Sequence, residues 1–168
     1  MTAEAITWRW CPFAELSIED LYEVMALRQR VFVLEQACPY VDADGLDPIA
    51  WHLLGWQLGP TGRRLIASAR VFERRPGANA DADTEASIGR IVVERSSRGR
   101  GVGRLLMAEA IERCRQLAPD RAIRIHAQSY LQRFYEGFGF RPVTAPYLFD
   151  GIVHLDMVRA VGGMPVSP

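Results

Sequence analysis

A change in hydrophobic periodicity around residue 95 is the feature that most constrains the fold of this chain. Residues 86–93 (ASIGRIVV) are apolar almost throughout, which is typical of a central strand covered on both faces. After residue 103 the apolar side chains recur at helical spacing, in a stripe that comprises Leu106, Ala110, Cys114 and Leu117. The sequence therefore predicts a buried strand and a helix, joined by the short glycine-rich turn 95–103 (RSSRGRGVG).

The rest of the chain alternates between strand-like and helix-like patterns. Ser17 is predicted to cap a helix, because Asp20 follows it in capping-box spacing. The helical intervals after Ser17 are occupied by Leu21, Val24, Met25, Arg28, Val31 and Phe32. A further helix is predicted over residues 129–136, and strands over residues 6–10, 51–58, 65–73, 122–127 and 152–158. This order predicts a mixed α/β (α+β) fold with one βαβ crossover in its middle.

Composition sets the expected domain boundaries. A chain of 168 residues is long enough to bury one core, so we expect a single domain over residues 1–160 and a frayed tail over residues 161–168. The small and polar residues of segment 76–84 (PGANADADT) predict an exposed loop. Residues 59–62 should join two strands as a hairpin.

The glycine-rich turn has the chemistry of an anion site. Its glycines would let the backbone approach a ligand closely, and the N-terminus of the following helix offers unpaired N–H groups with a partial positive charge. Pyrophosphate suits such a site. The same residues are also consistent with a tight strand-to-helix connection whose arginines are solvated and bind no ligand. A dinucleotide fold is discounted, because Gly99, Gly101 and Gly103 form GxGxG and not GxGxxG.

The charge composition excludes several classes of protein. The chain has 20 acidic and 20 basic side chains, and every basic one is Arg. Without Lys there can be no Walker P-loop, no kinase strand lysine and no pyridoxal Schiff base. A net charge of zero argues against general nucleic-acid binding, and no apolar run approaches the roughly 18 residues of a membrane helix.

Cysteine usage points to a reduced, cytoplasmic protein without a metal site. Cys11, Cys38 and Cys114 are odd in number and form no CxxC pair, so neither a disulfide framework nor a zinc site is indicated. The first residues, MTAEAITWRW, lack the basic-then-apolar pattern of a signal peptide.

Two motifs carry a resemblance to a known family. Residues 98–103 (RGRGVG) resemble the (Arg/Gln)xxGx(Gly/Ala) signature of the GCN5-related N-acetyltransferases (GNAT), and residues 134–140 (FYEGFGF) resemble the second signature, FYxxxGF. Segment 27–36 (LRQRVFVLEQ), with residues 38–47 and His52, is similar to the ElaA-type subgroup of that family. The resemblance spans about residues 6–160. It implies a mixed, largely antiparallel central sheet with one parallel βαβ unit and helices on both faces.

The resemblance also implies a cofactor and a site. Acetyl-CoA would lie where strands 86–93 and 122–127 diverge, with its pantetheine amides on the first strand and its pyrophosphate on the turn. The cofactor-binding residues so implied are Ile91, Val92, Val93, Arg98, Gly99, Arg100, Gly101, Val102, Gly103, Arg104 and Tyr135. The expected reaction is the transfer of an acetyl group to a primary amine by direct attack in a ternary complex, the acceptor being a small molecule or a peptide.

Catalysis needs a proton donor and a base. Tyr135 occupies the family's tyrosine position, and a phenol with a pKa of about 10 is protonated at neutral pH and can donate to the leaving thiolate. His126, His52 and Glu35 are candidates for the base, and a chain of water molecules is an alternative to all three.

The loop between Cys38 and Pro48 is acidic. Asp42, Asp44 and Asp47 do not match a calcium loop, because glycine falls at position four and Leu53 at position twelve. We interpret the three carboxylates as an acidic wall that attracts a cationic amine. Segment 35–52 carries four acids and no Arg, whereas segment 86–104 carries five Arg and one Glu, which would separate an acidic acceptor site from a basic donor site.

Other interpretations stay open. An acyl-homoserine lactone synthase has a related fold with a similar Arg–Val–Phe segment and acidic loop, and a catalytically inactive acyl-CoA-binding protein would keep the turn. A homodimer is also open, since Trp51 and Trp56 fall on opposite faces of their predicted strand, which would leave one of them exposed.

Overall fold

The structure, a computed structural model, describes residues 5–59, 62–77 and 85–163. Its strands are β1 (Ile6–Pro12), β2 (Trp51–Gly59), β3 (Gly62–Phe72), β4 (Glu85–Val93), β5 (Ala122–Gln128), β6 (Arg141–Pro142), β7 (Tyr147–Phe149) and β8 (Ile152–Arg159). Its α-helices are α1 (Ile18–Arg28), which continues as a π-helical segment (Gln29–Glu35), α2 (Val102–Leu117) and α3 (Gln132–Glu136).

The strands form one eight-stranded sheet in the order β1-β2-β3-β4-β5-β8-β6, and β7 also pairs with β8. β4 and β5 are parallel, with Glu85–Ser87 in register with Ala122–Arg124. The pairs β1–β2, β5–β8, β6–β8 and β7–β8 are antiparallel. The prediction of a mixed, mostly antiparallel α/β fold with one parallel pair is confirmed.

The chain comprises two compact units. The first unit comprises the described parts of residues 1–70 and 90–106, and the second those of residues 71–89 and 107–168. The single domain over residues 1–160 stays a prediction. Residues 60–61 of the predicted hairpin, 78–84 of the predicted loop and 164–168 of the predicted tail lie outside the described residues.

In the first unit, helix α1 begins as its sequence predicts. The Ser17 hydroxyl accepts a hydrogen bond of 3.0 Å from the Asp20 backbone N–H, which satisfies one of the N–H groups that a helix start leaves without a partner. The apolar face of the helix then packs into a buried cluster that comprises Val24, Leu27, Val31, Leu54, Trp56, Leu65 and Val92. Burial of this face supplies most of the stability of such a helix.

Four tryptophans occupy the strands β1 and β2 of the same unit. Trp56 is buried, and the rings of Trp10 and Trp51 stack with their centroids 5.2 Å apart. Trp8 and Trp51 are half-buried, so the expectation that one tryptophan of β2 is exposed was wrong. The homodimer stays a prediction that the burial of these tryptophans does not support.

In the second unit, α2 and the strands β5 and β8 share a core. The predicted helical stripe is buried at Ala110 and Cys114 and half-buried at Leu117. Apolar side chains from β5 and β8 complete the core, among them Ile123, Ile125, Ala127, Leu155 and Met157. None of the helices in residues 5–59, 62–77 and 85–163 is both long and apolar enough to cross a membrane.

Two local predictions were incomplete. Residues 86–93 were expected to be covered on both faces, but burial along β4 largely alternates, so that Ala86, Ile88 and Val92 are buried and their neighbours half-buried. The sequence analysis also missed β6 and β7. Asp150 and Gly151, with φ of 48° and 79°, form the two-residue turn that joins β7 to β8, and Asp-Gly is a strong hairpin signal.

Gly55 tests the packing of β1 on β2. It lies opposite Trp8 in the register, and a Cβ atom at Gly55 would come within 2.5 Å of the Trp8 ring. We expect Gly55→Ala to lower the free energy of unfolding by about 1–3 kcal/mol, because an extra methyl group overpacks the site. Urea unfolding measures the change.

The matched control for that substitution is Gly89→Ala in β4. No atom lies within 4 Å of the position a Cβ would take at Gly89. Its free energy of unfolding should change by less than about 1 kcal/mol. Equal effects at the two glycines would contradict the packing argument.

Candidate active site

The glycine-rich turn of the first unit follows β4 directly. Residues Arg95–Ser97 form a 3-10 turn, and α2 begins at Val102. Gly99 and Gly101 have φ of 74° and 83°, a region that side chains with a Cβ atom rarely adopt. No atom lies within 4 Å of a Cβ built at either position, so the backbone of the turn borders open space.

The start of α2 supplies the donors of an anion site. The backbone N–H groups of Arg104 and Leu105 donate to the Gly101 carbonyl at 2.9 and 3.1 Å, which fixes the first turn. The N–H groups that precede them lie in the part of a helix that has no intrahelical acceptors, at the positive end of the helix dipole. The turn therefore fits a pyrophosphate group by its open backbone and its donors.

Two arginines of the turn bind protein groups. The Arg98 guanidinium pairs with the Glu35 carboxylate through two hydrogen bonds, the one from Nη2 being 3.1 Å long, and its Nε donates to the Val93 carbonyl at 3.0 Å. Arg100 Nη2 donates to the Ser96 carbonyl at 2.9 Å. Glu35, a predicted base, is thus an ion-pair partner of Arg98 in the turn.

A buried arginine organises the acidic loop of the same unit. Arg28 is 1% exposed, and its Nε donates to Asp42 Oδ2 at 2.6 Å. Its Nη1 donates to Asp47 Oδ1 at 2.7 Å, and its Nη2 to the Asp42 carbonyl at 2.9 Å. Three donors of one guanidinium therefore hold both ends of the loop 42–47.

Two more arginines bind the same carboxylates. Arg70 donates to both oxygens of Asp44, at 2.7 and 2.6 Å, and lies 3.2 Å from Asp47. Arg90 Nε lies 2.7 Å from Asp42 Oδ1, and Arg90 Nη2 lies 3.0 Å from Asp44 Oδ2. The negative charge of the predicted acidic wall is therefore compensated, and an acceptor-binding role for the three carboxylates stays a prediction.

The arginines fix the ionisation of this cluster. Burial by itself would raise the pKa of Asp47, but the hydrogen bond and charge of Arg28, with Arg70, outweigh it and lower that pKa. His52 is 2% exposed, and its Nε2 lies 3.1 Å from the Asp47 carbonyl oxygen. Burial lowers the pKa of His52, which keeps the imidazole neutral near pH 7.

The second unit contains a cavity of about 310 Å³. It begins where the register of β4 with β5 ends, at Ser87 and Arg124. Its lining combines charged, aromatic and small residues, namely Phe72, Arg75, Ser87, Ile88, Gly89, Arg124, His126, Tyr147 and Asp156.

His126, the predicted base on β5, faces this cavity among aromatic rings. Its ring stacks on Tyr147 at a centroid distance of 5.4 Å and lies 4.6 Å from the ring of His154. The Tyr147 hydroxyl donates to Asp156 Oδ1 at 2.7 Å, and Arg124 Nη1 donates to Asp156 Oδ2 at 2.9 Å. A titratable imidazole thus lies beside a hydrogen-bonded carboxylate in an open cavity.

Tyr135, the predicted proton donor, is 5% exposed on α3 of the second unit. Its ring packs edge-on against Phe134 and Phe140, at centroid distances of 5.1 and 6.2 Å. Burial, and to a smaller extent Tyr130, raise the pKa of Tyr135 above that of a free phenol. The hydroxyl is therefore protonated at neutral pH, as a proton donor requires.

Sequence reasoning missed Arg28, Arg70, Arg90, Tyr147 and Asp156. For Arg28 the sequence did contain a signal. It occupies a core position of the predicted helix, and an arginine buried there requires a counter-ion. Within the part of the chain that the structure describes, no group of three His, Cys, Asp or Glu side chains is placed to hold a metal ion. The three cysteines are buried and are not joined in disulfides.

A mostly antiparallel sheet with one parallel pair, and a glycine-rich turn at the start of the following helix, are features of an acyltransferase fold. The chain belongs to the GNAT family, because the family profile described as "Acetyltransferase (GNAT) domain" matches residues 68–161. Within that family it is of the ElaA type, as its relatives show.

The relatives extend over nearly the whole chain. Protein ElaA of Escherichia coli strain K12 is 42% identical over 159 residues, which cover 93% of this chain and 97% of that protein. A UPF0039 protein of Synechocystis is 40% identical over 156 residues, covering 93% of this chain and 96% of that protein.

Two crystal structures match the fold. That of Escherichia coli ElaA has a TM-score of 0.81 at 40% identity and covers 92% of this chain and 99% of that chain. That of an acyl-CoA N-acyltransferase from Pseudomonas aeruginosa has a TM-score of 0.82 at 36% identity, covering 93% of this chain and 100% of that chain.

The depressed pKa of Asp47 gives a pH-dependent prediction. A carboxyl group whose pKa is lower in the folded than in the unfolded state stabilises the fold above the unfolded pKa, about 3.9, and loses this effect as the pH falls. We expect Asp47→Asn to cost about 3–5 kcal/mol at pH 7, because it breaks a buried ion pair. The difference from wild type should shrink below about pH 4 in urea unfolding at several pH values.

The control is Asp120→Asn, a substitution at an exposed carboxylate. It should change the free energy of unfolding by less than about 0.5 kcal/mol at pH 7. A cost for Asp47→Asn that is the same at pH 7 and pH 3 would contradict the ion-pair explanation.

Proposed function

We propose that this protein transfers an acetyl group from acetyl-CoA to a primary amine of a small molecule or peptide, by direct attack in a ternary complex. The observation that carries the proposal is the turn at Gly99 and Gly101, whose positive φ angles present an open backbone at the start of α2. Membership of the GNAT family supports acyl transfer, as does the similarity to a Pseudomonas aeruginosa protein named as an acyl-CoA N-acyltransferase.

The donor would be held mainly by backbone groups. The turn and the first residues of α2 would bind the pyrophosphate, and the end of β4 would pair with the pantetheine amides. The residues proposed for donor binding are Ile91, Val92, Val93, Arg98, Gly99, Arg100, Gly101, Val102, Gly103, Arg104 and Tyr135. Bound acetyl-CoA supplies the thioester whose carbonyl carbon the amine attacks.

Tyr135 is the proposed general acid. Its buried hydroxyl keeps its proton at neutral pH and would donate it to the sulfur when the carbon–sulfur bond breaks. The backbone N–H near Val93 is the proposed donor to the oxyanion. The family implies both roles, and the burial of Tyr135 supports the first.

His126 is the proposed base, which takes the proton that the amine loses on bond formation. It lines the cavity of the second unit, in which we propose that the acceptor binds. His52 and Glu35 lie in the first unit, outside this cavity: His52 is buried against the Asp47 carbonyl and Glu35 is paired with Arg98. Imidazole is the side chain most often used as a general base in enzymes.

We also propose a cytoplasmic location, with no metal, membrane or nucleic-acid partner. The three cysteines are not joined in disulfides, which is consistent with a reducing compartment. The formal net charge of zero gives no general attraction to nucleic acid.

Tyr135→Phe tests the proton donor. We expect turnover to slow by about 10²-fold or more while acetyl-CoA binding persists, since only the hydroxyl is removed. Release of free thiol from acetyl-CoA with a panel of amines measures turnover, and isothermal titration calorimetry measures binding. The matched control is Tyr22→Phe on α1, where the ring is 76% exposed and turnover should not change.

The outcomes of that experiment separate the alternatives. Unchanged turnover in Tyr135→Phe would remove the assignment of the acid. Binding of acetyl-CoA without thiol release for any amine would favour an acyl-CoA-binding protein. Release of a lactone from S-adenosylmethionine and an acyl donor would favour a homoserine lactone synthase.

His126→Gln tests the base. We expect kcat/KM to fall by about 10²-fold and to lose the acid limb of its pH profile, because the group that must be deprotonated to act as the base is removed. The pH profile of kcat/KM between pH 5.5 and 9 measures this. The control is His154→Gln, whose imidazole contacts the Ile152 carbonyl at 2.9 Å and which should retain the acid limb of the profile. An unchanged acid limb in His126→Gln would contradict the assignment.

A further inference from the structure

The end of β4 lies between two arginines whose guanidinium groups are both held by acids of residues 35–44. Arg90 immediately precedes the segment 91–93, and Arg98 follows it in the turn. Both contacts lie within the first unit. Among these acids, Glu35 was interpreted above as a base, and Asp42 and Asp44 as part of an acceptor wall. Their contacts with the two arginines indicate a different role.

Arg90 fixes the start of the segment. Its φ is 48°, a left-handed conformation that costs free energy for a residue with a Cβ and persists where the surroundings hold it. Here the surroundings are the carboxylates of Asp42 and Asp44, at 2.7 and 3.0 Å, and the ring of Tyr40, 5.7 Å from the guanidinium carbon. The extended backbone of β4 is therefore interrupted at a residue that is anchored from outside the strand.

Arg98 fixes the end of the segment. Its Nε donates to the Val93 carbonyl at 3.0 Å, while its two terminal nitrogens are bound by the Glu35 carboxylate. Glu35 thereby orients the guanidinium against the backbone of β4. The next N–H group along the chain, that of Glu94, donates to the Ile66 carbonyl at 2.8 Å and aligns the strand end with β3.

The acids that make these contacts are themselves held. Arg28 binds Asp42, and Arg70 binds both oxygens of Asp44. Glu35 ends the π-helical continuation of α1. Asp42 is thus an anchor in the buried part of the unit, whereas Asp44 and Glu35 are anchors at its surface.

We propose that Glu35, Asp42 and Asp44 are positioning residues that hold segment 91–93 in its donor-binding conformation through Arg98 and Arg90. The proposal rests on the proposed function, in which this segment pairs with the pantetheine amides. It assigns no proton transfer to Glu35 and no contact with the acceptor to Asp42 or Asp44. Loss of an anchor should therefore weaken donor binding and leave the chemical step unchanged.

Glu35→Gln and Asp44→Asn test the two anchors separately. Both side chains are partly exposed, with 27% and 26% of the side chain accessible. Urea unfolding checks that each variant is folded, because Asp44 also pairs with the buried Arg70. We expect each to raise the Kd of acetyl-CoA and its KM about fivefold, with kcat unchanged, because an ion pair of this exposure has a modest coupling. Calorimetry and thiol release measure the two quantities.

A double-mutant cycle tests whether Glu35 acts through Arg98. Glu35→Gln should have no further effect on the Kd of acetyl-CoA in an Arg98→Gln background, because the two side chains form one unit. Additive effects would overturn this part of the proposal.

Arg90→Gly and Arg90→Ala separate the backbone from the anchor. Glycine adopts positive φ readily, so Arg90→Gly keeps the conformation accessible and removes only the guanidinium. We expect both variants to bind acetyl-CoA more weakly than wild type. If Arg90→Gly binds acetyl-CoA as wild type does, the anchor is unnecessary and the proposal is overturned.

The control is Glu109→Gln on α2, which breaks the exposed ion pair with Arg113. It should leave the Kd of acetyl-CoA unchanged. A fall in kcat with unchanged KM in Glu35→Gln or Asp44→Asn would overturn the positioning role and restore the catalytic or acceptor role. Wild-type protein that fails to bind acetyl-CoA would overturn the proposed function, and this inference with it, whereas tight wild-type binding with unaffected variants would overturn this inference alone.

Discussion

The buried guanidinium of Arg28 is the interaction on which the first unit depends. A charge that is 1% exposed must be paired, since an unpaired ion in the interior would cost far more than a fold of this size can offset. The partners all come from the loop after the helix that carries Arg28, and they include a main-chain carbonyl as well as two carboxylates. The irregular loop 42–47 is therefore fixed in place, because displacing it would leave the Arg28 guanidinium unpaired.

The shared carboxylates extend this constraint to the sheet. Asp42 pairs with Arg90 of β4, and Asp44 with both Arg70 of β3 and Arg90. Acids of segment 35–47 are thus paired locally with arginines from other elements. From the sequence, the same charges were interpreted as an acidic region and a separate basic region. A count of charges along the chain does not show which acid contacts which arginine in the fold.

Local signals predicted local structure well. The Ser17 cap and the helical stripe of α2 both follow from short-range rules of backbone geometry, and the structure has both. What could not be predicted was non-local. The stacking of His126 on Tyr147 depends on how β5 and β7 pair with β8, and the burial of His52 depends on a loop anchored 24 residues upstream at Arg28. Tyr135 could be singled out only through the family motif, since its neighbours Phe134 and Phe138 equally suggest a packed ring.

The cations of the anchoring network are all arginines, and this has a chemical consequence. A guanidinium stays protonated at any physiological pH and has no free electron pair with which to attack a thioester, whereas a lysine amine near neutrality can be acylated. With no lysine in the chain, the side chains that hold its structure are inert toward the activated acyl groups such a fold handles. The protein can therefore remain in contact with a reactive thioester without its own ion pairs being consumed by acylation.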